Sequence, residues 1–195
     1  FQEFERQLAA SGLGKEGLVI DVRDNGGGFT TDHLLTALCQ PAHAYTIPRG
    51  GGQGYPQDRI VYATWRKPIV VLCNQNSFSN AEIFTHAIRN LNRGPVVGVP
   101  TAGGVISTGQ SNVYGPLSAR VPFRGWFDLK TGEDMELNGA KVDFLVWGGP
   151  ADETGQKDPQ LLKAIEVLEQ EVKKAEESKP SAPQYRNRPA SWPAK

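Results

Sequence analysis

Residues 67–84 read KPIVVLCNQNSFSNAEIF, and this stretch decides the fold class. Its unbroken apolar run from Ile69 to Leu72 predicts a strand covered on both faces, as strands are in a parallel sheet between helices. A short loop follows, and then an amphipathic helix with an apolar face formed by Ile83, Phe84, Ala87, Ile88 and Leu91. Strand, loop and helix in this order predict an α/β fold.

The alternation of strands and helices continues on both sides of this stretch. Upstream, residues 17–23 predict a strand that leads into a glycine loop, NGGG, at 25–28. A helix is expected next, with Thr30 or Thr31 as its N-cap. Downstream, the apolar residues 95–100 predict another short strand. We therefore expect a mostly parallel sheet.

The C-terminal part of the sequence predicts a hairpin and a long helix. Residues 117–137 are expected to form antiparallel strands with a turn near 130–132. The helix is expected to have Asp158 as its N-cap and Pro159 as its first residue. Its predicted apolar stripe is Leu161, Leu162, Ile165, Leu168 and Val172. Residues 178–195 are rich in Pro and Ser and predict a flexible tail after a domain of residues 1–177.

Charge and composition exclude several classes of protein. The 195 residues carry 21 Lys and Arg against 21 Asp and Glu, which argues against a nucleic-acid binder that depends on a basic surface. No apolar stretch approaches the roughly 20 residues of a membrane span. The two cysteines, Cys39 and Cys73, do not make a disulfide framework. Because no His and Cys residues have metal-ligand spacing, we predict no metal site, and we expect no cofactor.

Local chemistry leaves two interpretations of Ser79 open. A serine between a strand and a helix, such as Ser77 or Ser79, most often caps the helix. Ser79 could instead be a nucleophile at the helix N-terminus, where the N–H of Asn80 would donate to an oxyanion. The glycine loop 25–28 is similarly ambiguous. It fits a tight turn or an oxyanion hole better than a phosphate site, because its spacing is not GxGxxG.

A nucleophilic serine needs a base, and the sequence does not supply an obvious one. His33 and His43 have no distinguishing context. His86 lies two helical turns beyond Ser79 and is predicted to be solvated, on a polar helix face with Glu82 and Arg89. The carboxylates Glu133, Asp134 and Glu136 are expected at a solvated hairpin end. The residues alone therefore predict a possible serine site without its base.

Five motifs, taken together, resemble the C-terminal-processing and tail-specific proteases of peptidase family S41, and in particular the catalytic core of tricorn proteases. They are IDVRDNGGGF (20–29), NSFSNAEIF (76–84), GVPTAGGV (98–105), MELNGAKVD (135–143) and GQKDPQLLKAIEVL (155–168). The resemblance covers residues 1–172. It implies a ClpP- or crotonase-like ββα spiral, which is an α/β/α sandwich with a mostly parallel sheet, and residues 1–177 would be the C-terminal part of the catalytic domain.

The resemblance also implies roles for individual residues. Ser79 matches the nucleophile, and the backbone N–H groups of Gly28 and Asn80 match the oxyanion hole, with Gly27 as the alternative if the alignment shifts by one. Glu136 matches the glutamate that supports the base histidine. In the family that histidine lies upstream of the region matched here, so we expect this chain to be a fragment that is inactive or nearly so by itself.

Two positions bear on the base and on specificity. Gly104 stands where the tail-specific branch has its catalytic lysine, so a Ser–Lys dyad is excluded unless another lysine reaches the site. The segment TAGG instead resembles the tricorn branch, and Gly103 and Gly104 are expected to contact substrate. Thr46 stands where the tricorn pattern has an aspartate that favours basic side chains at P1. We therefore expect a weaker basic preference, shifted toward smaller or apolar residues.

The resemblance implies an ATP-independent serine endopeptidase that acts on peptides or unfolded chains. Two other classes stay open: a non-catalytic module that binds peptides or hydrophobic ligands, and a crotonase-like acyl-CoA enzyme. Family members carry PDZ or propeller domains and often assemble into oligomers, so such partners are expected outside this sequence. The cytoplasm and the periplasm both remain possible compartments.

Overall fold

The computed structural model describes residues 1–12, 14–46, 64–149 and 157–178. Within these ranges the helices are α1 (Gln2–Ser11), α2 (Thr31–Leu38), α3 (Asn80–Asn90) and α4 (Pro159–Glu177). The strands are β1 (Leu18–Asp21), β2 (Ile69–Cys73), β3 (Val96–Gly98), β4 (Ile106–Tyr114), β5 (Leu117–Gly125) and β6 (Phe144–Leu145). The predicted tail lies outside the described residues apart from Ser178.

A parallel sheet forms the centre of the fold. Its strand order is β1-β2-β3-β6, and each neighbouring pair runs parallel. In the register, Ile20 lies opposite Val71, and Val71 lies opposite Val96. All five residues of β2 are buried, as the unbroken apolar run predicted. The predicted α/β class with a mostly parallel sheet is confirmed.

Helices cover both faces of this sheet, which gives the predicted three layers. Ile69, Val71 and Cys73 point to one side and pack in a cluster with residues of α2 and α3. Val70 and Leu72 point to the other side and pack against α4. Burying a side chain of this size contributes about 1.5–3 kcal/mol. Because β2 provides more buried side chains to the two clusters than any other strand of the sheet, it makes the sheet's main contribution to both cores.

The apolar stripe predicted for α4 is wrong in its phase. The buried residues are Gln160, Ala164 and Val167, whereas Leu161, Leu162 and Ile165 are 36%, 58% and 41% exposed. Of the predicted stripe, Leu168 packs against the sheet. The small Ala164 lets the helix approach the strands closely, and this contact, rather than the count of leucines, sets the buried face.

The start of α4 matches the prediction and ties this helix to β1. Asp158 is the N-cap, and its carboxylate accepts the N–H of Leu161 at 2.9 Å. The same carboxylate pairs with Arg23 at 2.8 Å, and Arg23 also pairs with Asp21 at the end of β1. Hydrogen bonds from Arg23 hold the pKa of Asp158 below its ordinary value. The pair therefore fixes the helix against the end of the strand.

The hairpin differs from the prediction in its pairing. Residues 117–125 pair antiparallel with the upstream strand β4, through a turn at Gly115, rather than with residues up to 137. The turn near 130–132 does form, but only one bridge, between Phe127 and Asp134, closes it. The sequence of β4, ISTGQSNVY, is mostly polar, and it therefore lacks the alternation by which a half-buried strand is recognised.

Candidate functional site

Three loops meet at one edge of the sheet, because parallel strands end on the same side. They follow β1, β2 and β3 and cover residues 22–30, 74–79 and 99–104. The N–H of Phe78 donates to the carbonyl of Asn25 at 3.0 Å, and the N–H of Ala102 donates to the carbonyl of Ser77 at 3.1 Å. In open α/β sheets, ligands bind at the carboxyl ends of the strands.

Ser79 occupies a strained turn between β2 and α3. It is the N-cap residue of α3, with φ of 57° and ψ of −118°. An ordinary N-cap residue lies in the β region, whereas a positive φ in a residue with a side chain costs about 1–3 kcal/mol. In α/β-hydrolases the serine nucleophile lies in such a sharp, strained strand-to-helix turn. Helix capping alone does not account for this backbone.

Glu82 holds the turn from inside the protein. Its side chain is fully buried, with 0% exposure. One carboxylate oxygen, Oε1, accepts the N–H of Ser79 and the N–H of Gly104, each at 2.9 Å. The other, Oε2, accepts the hydroxyl of Thr101 at 2.7 Å and the N–H of Gly103. The prediction that Glu82 lies on a polar, solvated helix face is therefore wrong.

Two backbone N–H groups in the loops of this site have no hydrogen-bond partner among the described residues. Gly28 and Asn80 carry them, and Asn80 is the first residue of α3, where no intrahelical acceptor exists. The N–H of Gly27, in contrast, donates to Oδ1 of Asn25 at 2.9 Å. Of the two glycines considered for the oxyanion hole, Gly28 therefore has the amide that is available.

The side chain of Asn80 joins the glycine loop to α3. Its Oδ1 accepts the N–H of Thr30 at 2.9 Å and the N–H of Thr31 at 3.0 Å. It thereby caps α2, whose own N-cap residue, Thr30, makes no side-chain cap bond. Sequence reasoning gave Asn80 only a backbone role.

Ser77 has a structural role. It is 0% exposed, its hydroxyl donates to the carbonyl of Val22 at 2.7 Å, and it accepts the N–H of Asn74 at 3.0 Å. These bonds tie the end of β1 to the end of β2. Of the two serines between β2 and α3, Ser77 therefore uses its hydroxyl to stabilise the fold.

Gly103 and Gly104 contribute their amides to Glu82, so those N–H groups are not available to a substrate. Their predicted contact with substrate remains a prediction that would involve their other atoms. A Cβ at Gly104 would lie 2.0 Å from the ring of Phe78. A side chain at this position would therefore displace Phe78.

Glu136 lies in a segment that packs against the loop 99–104. The N–H of Leu137 donates to the carbonyl of Gly103 at 2.8 Å, and the N–H of Ala140 donates to the hydroxyl of Thr101 at 2.7 Å. Oε2 of Glu136 is buried and has no hydrogen-bond partner among the residues the structure describes. Such an atom is costly to bury unpaired, which distinguishes Glu136 from the exposed Glu133 and Asp134.

The three histidines do not bond to Ser79 within the described residues. His33 is exposed, with its ring 5.2 Å from that of Phe1, and His43 is exposed as well. The prediction that His86 is solvated is wrong: its side chain is 13% exposed, and its Nδ1 lies 3.7 Å from Asp128. Burial lowers the pKa of His86, and Asp128 partly offsets this effect.

The remaining predicted features are resolved only in part. Thr46 is exposed, but residues 47–49 of its loop lie outside the described residues, so its role in specificity stays a prediction. Cys39 and Cys73 are free thiols, and burial raises the pKa of Cys73 to about 12. Among the described residues no cluster of His, Cys, Asp and Glu is arranged to bind a metal, and none of the helices could cross a membrane.

An α/β domain that presents a serine in a strained turn at a helix N-terminus is typical of hydrolases with a serine nucleophile. The sequence model of peptidase family S41 matches residues 1–146. The chain belongs to this family.

Individual relatives support this family assignment. Tricorn protease homolog 1 of Streptomyces coelicolor is 36% identical over 156 residues, which are 78% of this chain and 14% of that protein. The tricorn protease of Thermoplasma volcanium is 30% identical over 175 residues, 88% of this chain and 16% of the relative. The crystal structure of the tricorn protease matches with a TM-score of 0.64 at 28% identity, covering 81% of this chain and 15% of that one.

The chain therefore spans only a small part of these curated relatives, 14% and 16% of their lengths. The spatial match agrees with the fold inferred from the five motifs.

Proposed function

We propose that the full-length protein containing this chain is a serine endopeptidase that cleaves peptides or unfolded chains through an acyl-enzyme on Ser79. The observation that carries this proposal is the strained backbone of Ser79 at the N-terminus of α3, and the N–H groups of Gly28 and Asn80, which lack partners among the described residues, support it. Membership of peptidase family S41 supports the same reaction.

In the proposed reaction, Oγ of Ser79 attacks the carbonyl carbon of the scissile bond while its proton passes to a base. The carbonyl oxygen becomes an oxyanion and accepts hydrogen bonds from the N–H groups of Gly28 and Asn80. One such donor accounts for about 10²–10³ in rate. The intermediate then collapses, the amine leaves with a proton from the base, and water hydrolyses the acyl-enzyme by the same route.

The base is proposed to be a histidine outside the 195 residues of this chain. None of His33, His43 and His86 bonds to Ser79 within the described residues, and His86 lies seven positions along α3, which is about 10 Å. Glu136 is proposed to support that histidine. Its buried Oε2, which has no hydrogen-bond partner in the part of the chain that the structure describes, is the feature expected of a carboxylate whose partner comes from another segment.

The substrate is proposed to be an extended peptide that is bound by further domains of the full-length protein and by subunit partners. The tricorn names of the relatives support this class of substrate. Thr46 is proposed to weaken any preference for Lys or Arg at P1, and kinetics on a panel of peptides that differ at P1 would test this. A clear preference for Arg would contradict the proposal.

A fluorophosphonate probe applied to the full-length protein tests the reaction, with adducts mapped by mass spectrometry. We expect one adduct on Ser79 that Ser79→Ala abolishes, while Ser77→Ala, the neighbouring serine, leaves Ser79 labelled if the variant folds. A folded wild-type protein without label on Ser79 would overturn the proposal. It would favour a non-catalytic binding module on the same fold.

A further inference from the structure

We propose that Glu82 is a positioning residue for proteolysis, because its carboxylate joins the turn that carries Ser79 to the loop 101–104 and, through that loop, to Glu136. The inference rests on the proposed function. It adds a residue to which the sequence analysis gave no role in the reaction.

The burial of Glu82 requires an explanation, because an ionised carboxylate inside a protein must be hydrogen-bonded. Three backbone N–H groups and one hydroxyl donate hydrogen bonds to the carboxylate of Glu82. The carboxylate also lies in the first turn of α3, where the helix dipole favours a negative charge. Four hydrogen-bond donors and the N-terminus of α3 thus stabilise the carboxylate of Glu82.

Helix capping accounts for only one of these four bonds. In a capping box, a glutamate at the third helical position reaches back to the N–H of the N-cap residue, as Glu82 does to Ser79. The other three donors belong to Thr101, Gly103 and Gly104, which lie in the loop after β3. The carboxylate therefore bridges two segments.

The geometry of the bridge fixes the nucleophile relative to that loop. A single oxygen, Oε1, accepts from both Ser79 and Gly104 at 2.9 Å. The two segments therefore cannot separate without breaking a buried bond. Because Ser79 has a strained φ, it needs such surrounding restraints to persist in the folded state.

The same loop positions Glu136. The N–H of Leu137 donates to the carbonyl of Gly103, and the hydroxyl of Thr101 accepts the N–H of Ala140 while it donates to Glu82. A path of hydrogen bonds therefore runs from Ser79 through Glu82 to Leu137 and Ala140, which lie one and four residues after Glu136. We infer that Glu82 keeps the nucleophile and the supporting glutamate at their working distance.

Glu82→Gln in the full-length protein tests this inference. Glutamine has nearly the same volume, but its Nε2 group donates and would face two N–H or O–H donors. We expect kcat and the rate of Ser79 labelling to fall by about tenfold or more, because small misplacements are costly, with KM changed far less. An E82Q protein that is folded and has wild-type kcat would overturn the inference.

Thr85→Val is the matched control on the same helix. Thr85 is also 0% exposed, and its hydroxyl donates only to the carbonyl of Ala81 within α3, at 2.9 Å. The variant loses a buried hydrogen bond within α3 at nearly constant volume and keeps the hydrogen bonds between Glu82 and the loop 101–104. We expect lower stability with an unchanged kcat per folded molecule, and an equal loss of kcat in both variants would reduce Glu82 to a structural role.

Amide hydrogen exchange gives a readout that does not depend on proteolysis. In E82Q the amides of Ser79, Gly103 and Gly104 should exchange faster, while those of β2 stay protected. Unchanged exchange would overturn the inference even if the protein were active. If wild-type Ser79 takes no label, the proposed function fails, but the exchange result still decides whether Glu82 restrains the turn.

Thr101→Val is the alternative test if E82Q does not fold, because it removes one of the four hydrogen-bond donors to Glu82. A fall of about threefold or more in the labelling rate is expected, again with KM nearly constant. Labelling at the wild-type rate would then overturn the inference.

Discussion

Replacement of Gly27 by alanine should misplace the nucleophile. Gly27 has φ of +98°, and a Cβ added there would lie 2.7 Å from Cβ of Ser79. It would also lie 2.9 Å from the backbone N of Asn80 and 2.9 Å from the carbonyl oxygen of Phe78. None of these atoms is the end of a flexible side chain, so the contact is relieved only if the two loops move apart.

The size of the effect follows from these distances. Carbon atoms in ordinary contact are about 3.5–4.0 Å apart, so the glycine loop and the Ser79 turn must separate by about 1 Å. A displacement of this size can slow an enzymatic step by about 10²-fold. The positive φ adds strain of about 1–3 kcal/mol. We expect Gly27→Ala to lower both the labelling rate of Ser79 and the stability.

Two neighbouring glycines provide matched controls. A Cβ at Gly26 meets nothing within 4 Å, and a Cβ at Gly28 also meets nothing, although Gly28 has φ of +143°. Gly26→Ala should therefore behave as wild type. Gly28→Ala adds backbone strain without a clash and keeps its N–H group. The series separates steric contact from strain, because only Gly27→Ala combines the two.

The assay compares fluorophosphonate labelling rates and melting temperatures of the three full-length variants. We expect both quantities to decrease from Gly26→Ala through Gly28→Ala to Gly27→Ala. If Gly27→Ala labels as fast as Gly26→Ala and melts at the same temperature, the close approach of the glycine loop to Ser79 is refuted.

Three further predictions concern other parts of the site. Ser77→Ala removes the buried hydroxyl that donates to Val22, so the free energy of unfolding should fall by about 1–3 kcal/mol; an unchanged urea midpoint would contradict this. Gly104→Ala brings a Cβ to 2.0 Å from the ring of Phe78, so labelling of the nucleophile should slow, and a second substitution, Phe78→Ala, should restore it unless the ring contact is unimportant. Burial lowers the pKa of His86, so the unfolded chain binds the proton first as the pH falls. Stability should be retained above about pH 6.5 and decline below it. His86→Gln should flatten this decline in melting temperature, and an unaltered pH profile would rule out His86 as its source.

The parts of the fold that the sequence predicted well have strong local signals. The apolar run of β2 and the Asp158-Pro159 start of α4 each depend on residues that are neighbours in the chain. The buried face of α4 was predicted wrongly because Leu161 and Leu162 satisfy helical periodicity as well as Ala164 does. The choice between them depends on how closely the helix can approach the sheet.

In the site as well, the features with local sequence signals were predicted, and those that depend on distant residues were not. The turn at Ser79, with the N–H of Asn80 beside it in the chain, and the glycine loop were visible as motifs, and the resemblance to peptidase family S41 added proposed roles for Gly28 and Glu136. Glu82 was missed because a glutamate beside polar residues on a helix is typical of a solvated face. Its other partners lie 19 to 22 residues away in the sequence, beyond the reach of any local pattern.

The sequence by itself determined the α/β class, the central strand and the position of Ser79 between a strand and a helix. These features follow from hydrophobic periodicity and from chemistry within a few residues. Only the tertiary structure decided which amides stay available, which carboxylates are buried, and that Glu82 bridges two loops. Those properties depend on groups that are distant in the chain and meet only where the parallel strands end at one edge of the sheet.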